Sequence, residues 1–468
     1  MLLTGNTNSA PTVVSNAELR VPYLWMIASI AALGGLLFGY DWVVIGGARP
    51  FYEAYFHLTT PSAIGWANSC ALLGCFVGSL TAATISDWFG RKKALLLSAL
   101  LFALSSVLTG WAMSFPAFIA WRIVGGMAIG LASNVSPTYI AEISPAPWRG
   151  RLVSLNQLAL VIGIVAAQVV NWRIAARVPG GATLSAASWN AQFGWRWMFT
   201  AVAVPALLFL VLTPFIPESP RWLSVIGDEE KAMGVLSSIG GRRYADAELA
   251  SIRHSFGPSG QVGSWRALFA RPLRGLLLIG IGLAVLQQWC GINIIFNYAA
   301  EIYRSAGYGI SDVMFNIVIT GTVNLVFTIV AMLLVDSLGR RSLMLFGCVG
   351  IGVSHLLAFL AYRTGLQGFW VLMLTLTAIA CYAVSLAPVT WVLITELFPN
   401  GVRATAVSIS VAALWISSFA LTYTFPFLTE AFGTSGTFLL YGSVCLVGFV
   451  FVYLCVPELK GQSLEQAE

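Results

Sequence analysis

The chain of 468 residues carries 25 Lys and Arg against 19 Asp and Glu, so 9% of it is charged, where soluble domains run at roughly 25%. With 58% hydrophobic residues and a mean hydropathy of +0.82, it has too little polar surface to clothe a water-soluble body of this size. An ordinary globular enzyme is excluded, and lipid must solvate most of the chain.

A bilayer core of about 30 Å takes ~20 apolar residues per helix. Twelve such runs follow one another, near 22–47, 62–85, 94–113, 115–141, 152–175, 197–216, 273–300, 313–335, 343–362, 368–395, 405–426 and 436–456. Each is apolar all round and about twice the ~10-residue alternating unit of a membrane strand. The expected class is therefore an all-α membrane protein of twelve transmembrane helices. The first run is too long for a signal peptide and lacks a basic lead, so it should stay in the membrane. Residues 1–20, rich in Thr, Asn and Ser, read as a disordered tail.

Of the 25 Lys and Arg, Arg122 falls inside a run, and Arg49, Arg173, Arg177, Arg196, Arg304 and Arg363 follow odd-numbered runs; the other eighteen follow even-numbered runs or lie in the tails. The positive-inside rule then puts both termini in the cytoplasm of a cell-membrane protein, which agrees with an even number of spans. The net +6 follows from this topology and gives no reason to expect nucleic acid as a partner. All seven cysteines lie in apolar runs without a CxxC, as small hydrophobes do. The histidines His57, His254 and His355 are scattered, so no metal site and no cofactor are expected.

Three motifs recur at one offset. Asp87-Trp-Phe-Gly-Arg-Lys after the second run returns as Asp336-Ser-Leu-Gly-Arg-Arg after the eighth. Ala141-Glu-Ile-Ser-Pro with Arg149 returns as Thr395-Glu-Leu-Phe-Pro with Arg403, and Pro217-Glu218 as Pro457-Glu458. Two parallel six-helix halves follow, 21–217 and 273–456, with a cytoplasmic helical linker at 218–272 and a C-terminal tail at 457–468. The linker has no phosphate loop and no paired catalytic groups, which removes support for an ATP-driven pump and for an enzyme. Gly126 and Gly130, a GxxxG pair, should mark close helix packing.

Gly35-Leu-Leu-Phe-Gly-Tyr-Asp41, Pro217-Glu-Ser-Pro-Arg-Trp-Leu223, Gln287-Gln288 followed by Gly291-Ile-Asn293, and the two Gly-Arg-basic loops carry a family resemblance. Over essentially everything after residue 20 the chain resembles the sugar porter family of the major facilitator superfamily, and within it the bacterial proton-coupled, xylose-type sugar symporters. The resemblance implies a transporter working by alternating access as a monomer, with a monosaccharide (pentose or hexose), a proton and the lipid bilayer as partners.

Two charges, Asp41 and Arg122, are expected well inside the hydrocarbon. An ionised side chain there costs about 2.5–3.5 kcal/mol even on insertion scales, so each should seek a partner, and pairing with one another is the economical arrangement. A static pair that only fixes packing is the alternative. The resemblance favours proton coupling, since the symporters carry an Asp and an Arg at these positions and facilitative carriers an Asn at the first. Against this, Val202 stands where the symporters carry a second membrane acid.

A pyranose offers hydroxyls all round and apolar C–H faces, which calls for amides and an aromatic face. Gln287, Gln288 and Asn293 lie at depth in the seventh run, Gln157 in the fifth, Asn324 in the eighth, and Trp391 and Trp415 inside later runs. Taken singly, a buried amide can tie two helices together and a Trp can be plain packing. The resemblance assigns sugar contacts to Gln157, Gln287, Gln288, Asn293, Asn324, Trp391 and Phe38, with Trp415 matching too. Three positions depart from the family: Asn297 replaces one of two tyrosines, Leu414 an amide, and Ala387 a glycine. A sugar with a different hydroxyl pattern is therefore expected.

The resemblance also implies a cytoplasmic gate of salt bridges from Arg91, Glu142, Arg149, Glu218, Arg340, Glu396 and Arg403. An uncoupled sugar or polyol facilitator, or a sugar sensor, would share the pocket without needing Asp41. A drug–proton carrier would share the fold without the glutamine pair.

Overall fold

The computed structural model describes residues 19–177, 185–255, 271–366, 368–399 and 402–457, all in helices and the turns that join them. Five long helices open the chain: α1 Val21–Phe56, α2 Pro61–Phe89, α3 Arg91–Gly110, α4 Phe115–Ile143 and α5 Ala146–Ile174. Their starts follow local chemistry. Thr60 accepts a hydrogen bond from the Ala63 amide with Pro61 in the first turn, and Ser114 does the same for Ala117 ahead of Pro116. Such caps satisfy amides that have no partner within the helix. Ser114 thereby fixes the border between the third and fourth spans, which hydropathy alone leaves blurred.

The sixth span, Asn190–Phe215, opens as a π-turn over Asn190–Gly194 and continues as α6 Trp195–Thr200 and α7 Ala203–Leu212. The polar helices α8 Pro220–Val225 and α9 Glu229–Ser255 follow, α9 being broken at Gly240 and Gly241. The seventh span comes in three pieces, α10 Arg271–Trp289, α11 Ile292–Asn297 and α12 Ala299–Ser305. Then come α13 Ile310–Leu338, α14 Arg340–Thr364, α15 Phe369–Val384, α16 Leu386–Glu396 and α17 Arg403–Cys455. Among the described residues, eleven helical segments are long and apolar enough to cross a bilayer. The last is interrupted at Gly433, whose φ of 68° is not helical, and so supplies two crossings; twelve in all. Residues 1–18 and 458–468, including Glu458 of the third repeated motif, lie outside the described residues.

Polarity is inverted as lipid requires. Val204, Leu333 and Leu454 are 73%, 77% and 72% exposed, while Asp41 and Arg122 are 3% and 2% exposed. Two further charges are buried that the sequence put in loops. α1 runs on to Phe56 rather than ending near 47, because proline's fixed φ fits a helix and costs it one donor, while Phe51 and Tyr52 are fully buried beyond it. Arg49 therefore rides on α1, 5% exposed. The sixth span begins at 190 rather than 197, which buries Arg196; its guanidinium donates to the Gly110 and Ala112 carbonyls at 3.0 and 2.9 Å and closes the end of α3.

The linker helices mark one face of the molecule. Arg20 donates its amide to Ile239 O at 2.8 Å, and Trp222 Nε1 donates to Asp87 O at 2.8 Å. Contacts joining the two six-helix halves gather at the opposite, distal face. α2 meets α17 where Ser62 and Tyr423 hydroxyls lie 3.2 Å apart and Trp66 packs on Phe419 and Tyr423. α5 meets α13 through Trp172 and Phe315, and α1 meets α11 through Trp42 and Phe296.

Within the first half, α2 and α4 touch backbone to backbone at Gly126 and Gly130, where a Cβ would fall onto the carbonyl oxygens of Ala71 and Cys75. This is the small-residue packing that brings membrane helices close. Gly126→Val should therefore force the pair apart at a cost of about 1–3 kcal/mol, read as a lower Tm of the detergent-purified protein; an unchanged Tm would count against the contact.

Candidate functional site

Asp41 on α1 and Arg122 on α4 form a direct ion pair, with Arg122 Nη1 donating to Asp41 Oδ1 at 2.9 Å and both side chains almost completely buried. The Phe199 ring lies 5.3 Å from the Arg122 guanidinium carbon. Satisfaction is incomplete, since Asp41 Oδ2 and Arg122 Nε have no hydrogen-bond partner. Breaking such a pair by removing one partner leaves an uncompensated buried charge, at about 3–5 kcal/mol. Val202 is fully buried, and Asp41 is the one buried acidic residue among the described residues.

The second cluster lies in the other half. Gly291, with φ of 86°, separates α10 from α11, and a Cβ there would press on His355 and Tyr441. The break brings three amides into a chain. Gln288 Nε2 donates to Gln287 Oε1 at 2.7 Å, and Asn293 Nδ2 donates to Gln288 Oε1. All three are buried. A run of neutral amides presents both donors and acceptors, which a ligand rich in hydroxyls can use without a countercharge.

An aromatic pair bridges the halves: Phe38 on α1 and Trp415 on α17 have ring centroids 5.9 Å apart, and the Trp415 Nε1–H is buried without a partner. Gln157 on α5, Asn324 on α13 and Trp391 on α16 sit on their expected spans, with Asn324 buried and the other two half-buried. Among the described residues, these three make no side-chain hydrogen bond or ring contact to the others. Asn297, at the end of α11, lines a cavity of about 10 Å³ with Trp42, Asn68 and Arg122, which is room for roughly one water. It thus faces the ion pair across the boundary between the halves. Leu414 is buried.

The set expected as a gate sits at the linker face and staples helices within each half. Arg91 holds Glu142 in a fork, Nε to Oε2 at 3.0 Å and Nη2 to Oε1 at 3.1 Å, and reaches Asp87 at 3.0 Å. Glu218 accepts from the Arg91, Lys92 and Ser219 amides at 2.9, 3.1 and 2.8 Å, capping α3. In the second half Arg340 reaches Glu396 at 3.6 Å, repeating the Arg91–Glu142 pair. Arg149 and Arg403 donate to the Ser144 and Phe398 carbonyls at 3.5 and 2.9 Å.

Two features escaped sequence reasoning. Arg49 bonds Glu53 and Glu301 at the distal face, hidden because the first apolar run ends near 47 and left Arg49 in the loop after it. Gln168 on α5 is buried with both amide atoms unpartnered, against Gly321 of α13; its depth in an apolar run was the available signal.

Comparison with known proteins fits this geometry. The family model described as "Sugar (and other) transporter" matches residues 27–468. The D-xylose-proton symporter of Escherichia coli is 35% identical, covering 97% of this chain and 96% of that protein. The glucose transport protein of Synechocystis is 37% identical, covering 98% and 100%. The inward-open structure of the E. coli xylose transporter superposes with a TM-score of 0.83 at 35% identity, covering 95% of this chain and 98% of that one.

Glu218 gathers amides of the first turn of α3 that would otherwise lack partners. Glu218→Ala should cost about 1–2 kcal/mol, as loss of a helix cap does, measured as a fall in Tm, whereas Glu230→Ala on the exposed face of α9 should leave Tm unchanged.

Proposed function

Because the chain belongs to the sugar transporter family, whose members are transporters and not enzymes, we propose that it imports a monosaccharide together with a proton by alternating access. The observation that carries this reading is the buried Asp41–Arg122 pair at 2.9 Å, in the half opposite the Gln287–Gln288–Asn293 amides. A neutral amide cluster suits a neutral polyhydroxyl ligand, and a lone buried carboxylate with one cationic partner suits a single transferable proton.

The linker face is cytoplasmic in this reading, in keeping with the charge bias of its loops. In this reading the cross-half contacts shut the distal face and the path opens to the cytoplasm, which is supported by the likeness to the inward-open structure of the relative. Gln287, Gln288 and Asn293 bind the sugar hydroxyls, and Phe38 and Trp415 cover its apolar face. Gln157, Asn324 and Trp391 complete the pocket from the neighbouring spans. Asn297, with its amide toward the Arg122 cavity, links that pocket to the ion pair.

Coupling follows from charge. When Asp41 takes a proton its attraction for Arg122 falls away, and the guanidinium is left buried with an aromatic face as its neighbour. The two helices carrying the pair, α1 and α4, are then free to reorient. When the proton leaves to the cytoplasm, the pair re-forms and resets the first half. Arg91–Glu142 and Arg340–Glu396 hold each half rigid as the halves rock, and act with Arg149, Glu218 and Arg403 as the cytoplasmic gate in the alternate state. The linker 218–272 joins the halves, and the carrier works as a monomer in the cell membrane.

Asp41→Asn should abolish uphill accumulation in proteoliposomes while sparing exchange of sugar down its gradient. Accumulation that survives the substitution would sink proton coupling through this residue, and would favour an uncoupled carrier. Gln288→Ala should weaken binding of D-xylose, L-arabinose or D-glucose, whichever of the three the wild-type protein binds, by about 1–3 kcal/mol, because its amide partners stay buried and unpaired. Calorimetric titration of purified protein measures this, and equal affinity would remove Gln288 from the pocket.

A further inference from the structure

Arg49 is a buried cation that no step of the proposed proton or sugar chemistry uses. It lies near the distal end of α1, where its Nε donates to Glu53 Oε1 on the same helix at 2.6 Å and its Nη2 donates to Glu301 Oε2 on α12 at 2.7 Å. Its guanidinium carbon sits 4.3 Å from the centroid of the Tyr298 ring. Tyr298 in turn donates its hydroxyl to Thr422 O of α17 at 2.7 Å and packs on Phe425 with centroids 4.3 Å apart. On the α1 side, Tyr52 donates to Asn68 of α2 at 3.1 Å. The Arg49 guanidinium thus ties α1 of the first half to α12 of the second, and through the Tyr298 ring to α17.

The tie falls on a segment of the second half that is broken at both ends of a short helix. α11 is six residues long and bounded by breaks at Gly291 (φ 86°, ψ −7°) and Tyr298 (φ −117°, ψ 20°), so the segment 292–305 can pivot without unwinding a long helix. Arg49 Nη1 is buried without a partner, and the Glu301 side chain is 30% exposed against 7% for Arg49. The pair therefore borders water on one side, where it can part and be solvated. An ion pair that is direct, shielded and carried by two bodies holds them while it is intact, and gives way to hydration once the segment moves.

We propose that Arg49 is the positioning residue of the distal gate: paired with Glu301 and stacked on Tyr298, it pins the 292–305 segment across α1 and keeps the substrate path shut on that side. This rests on the alternating-access reading of the chain, but not on which sugar is carried or whether a proton accompanies it.

The test is hydrogen–deuterium exchange of the full-length protein in nanodiscs, without sugar and without a pH gradient. Arg49→Gln and Glu301→Gln should each raise amide exchange in 292–305 and in the distal end of α1 by tenfold or more, leaving α2 and α4 near their linker-face ends at the wild-type rate. The exchanged pair Arg49→Glu with Glu301→Arg, which keeps one cation between two carboxylates, should restore protection. Wild-type exchange in 292–305 in both single variants would overturn the proposal. So would faster exchange throughout both halves, which would make Arg49 a folding residue, or loosening that the exchanged pair does not reverse. Because no substrate enters the measurement, a failed sugar or proton assay leaves this result standing.

Discussion

A carboxylate and a guanidinium taken out of water at mid-span have one inexpensive arrangement, which is each other. Asp41 and Arg122 adopt it at 2.9 Å, and the first half is organised around the pair. α1 and α4 must pass close enough for a short carboxylate to reach, and the glycine contacts at Gly126 and Gly130, one and two turns along the face of α4 that carries Arg122, draw α2 onto α4 beside the pair. The pair is not fully satisfied, with one carboxylate oxygen and one guanidinium nitrogen left alone. It is thus held by Coulomb attraction more than by a closed hydrogen-bond network, and its strength depends on the charge of one carboxylate.

The second half meets this charge with neutrality. Its buried polar groups include a chain of neutral amides, linked Gln287 to Gln288 to Asn293 across the break at Gly291. That break serves two ends, because it turns Asn293 back onto Gln288 and also frees the short α11 and α12 as a jointed piece. Asn297 closes the circuit between the halves, sharing a one-water cavity with Arg122. Charge in one half and hydrogen-bonding capacity in the other, meeting at a movable segment, is the physical basis on which the proposed coupling of proton and sugar rests.

The repeat carries over at the linker face and fades at the distal one. Arg91–Glu142 and Arg340–Glu396 are equivalent pairs at equivalent helix ends, both stapling one half internally. Among the described residues the distal face has no such symmetry: Arg49 on α1 reaches Glu301 on α12, and Trp66 of α2 lodges against Phe419 and Tyr423 of α17. In the proposed cycle, staples within halves keep the moving bodies rigid, and ties between halves decide which side is shut.

The amino-acid sequence by itself determined the class, the number of crossings, the doubled plan and the identity of the buried pair. Each depends on local or additive chemistry: apolar length against bilayer thickness, motifs at a constant offset, and the scarcity of charge inside the runs. Cap residues carried local information too, as Ser114 did in separating the third and fourth spans. What only the tertiary structure decided was how elements distant in the chain meet. Arg49 looked like a loop residue after a run that ends near 47, because whether a helix continues through Pro50 depends on what packs beyond it, here the buried Phe51 and Tyr52. Its partner Glu301 lies 252 positions away in the sequence, and no periodicity links the two. The contacts gathered at the distal face and the place of Asn297 beside Arg122 arise from the packing of one half on the other, which is a property of the assembled bundle and not of any one span.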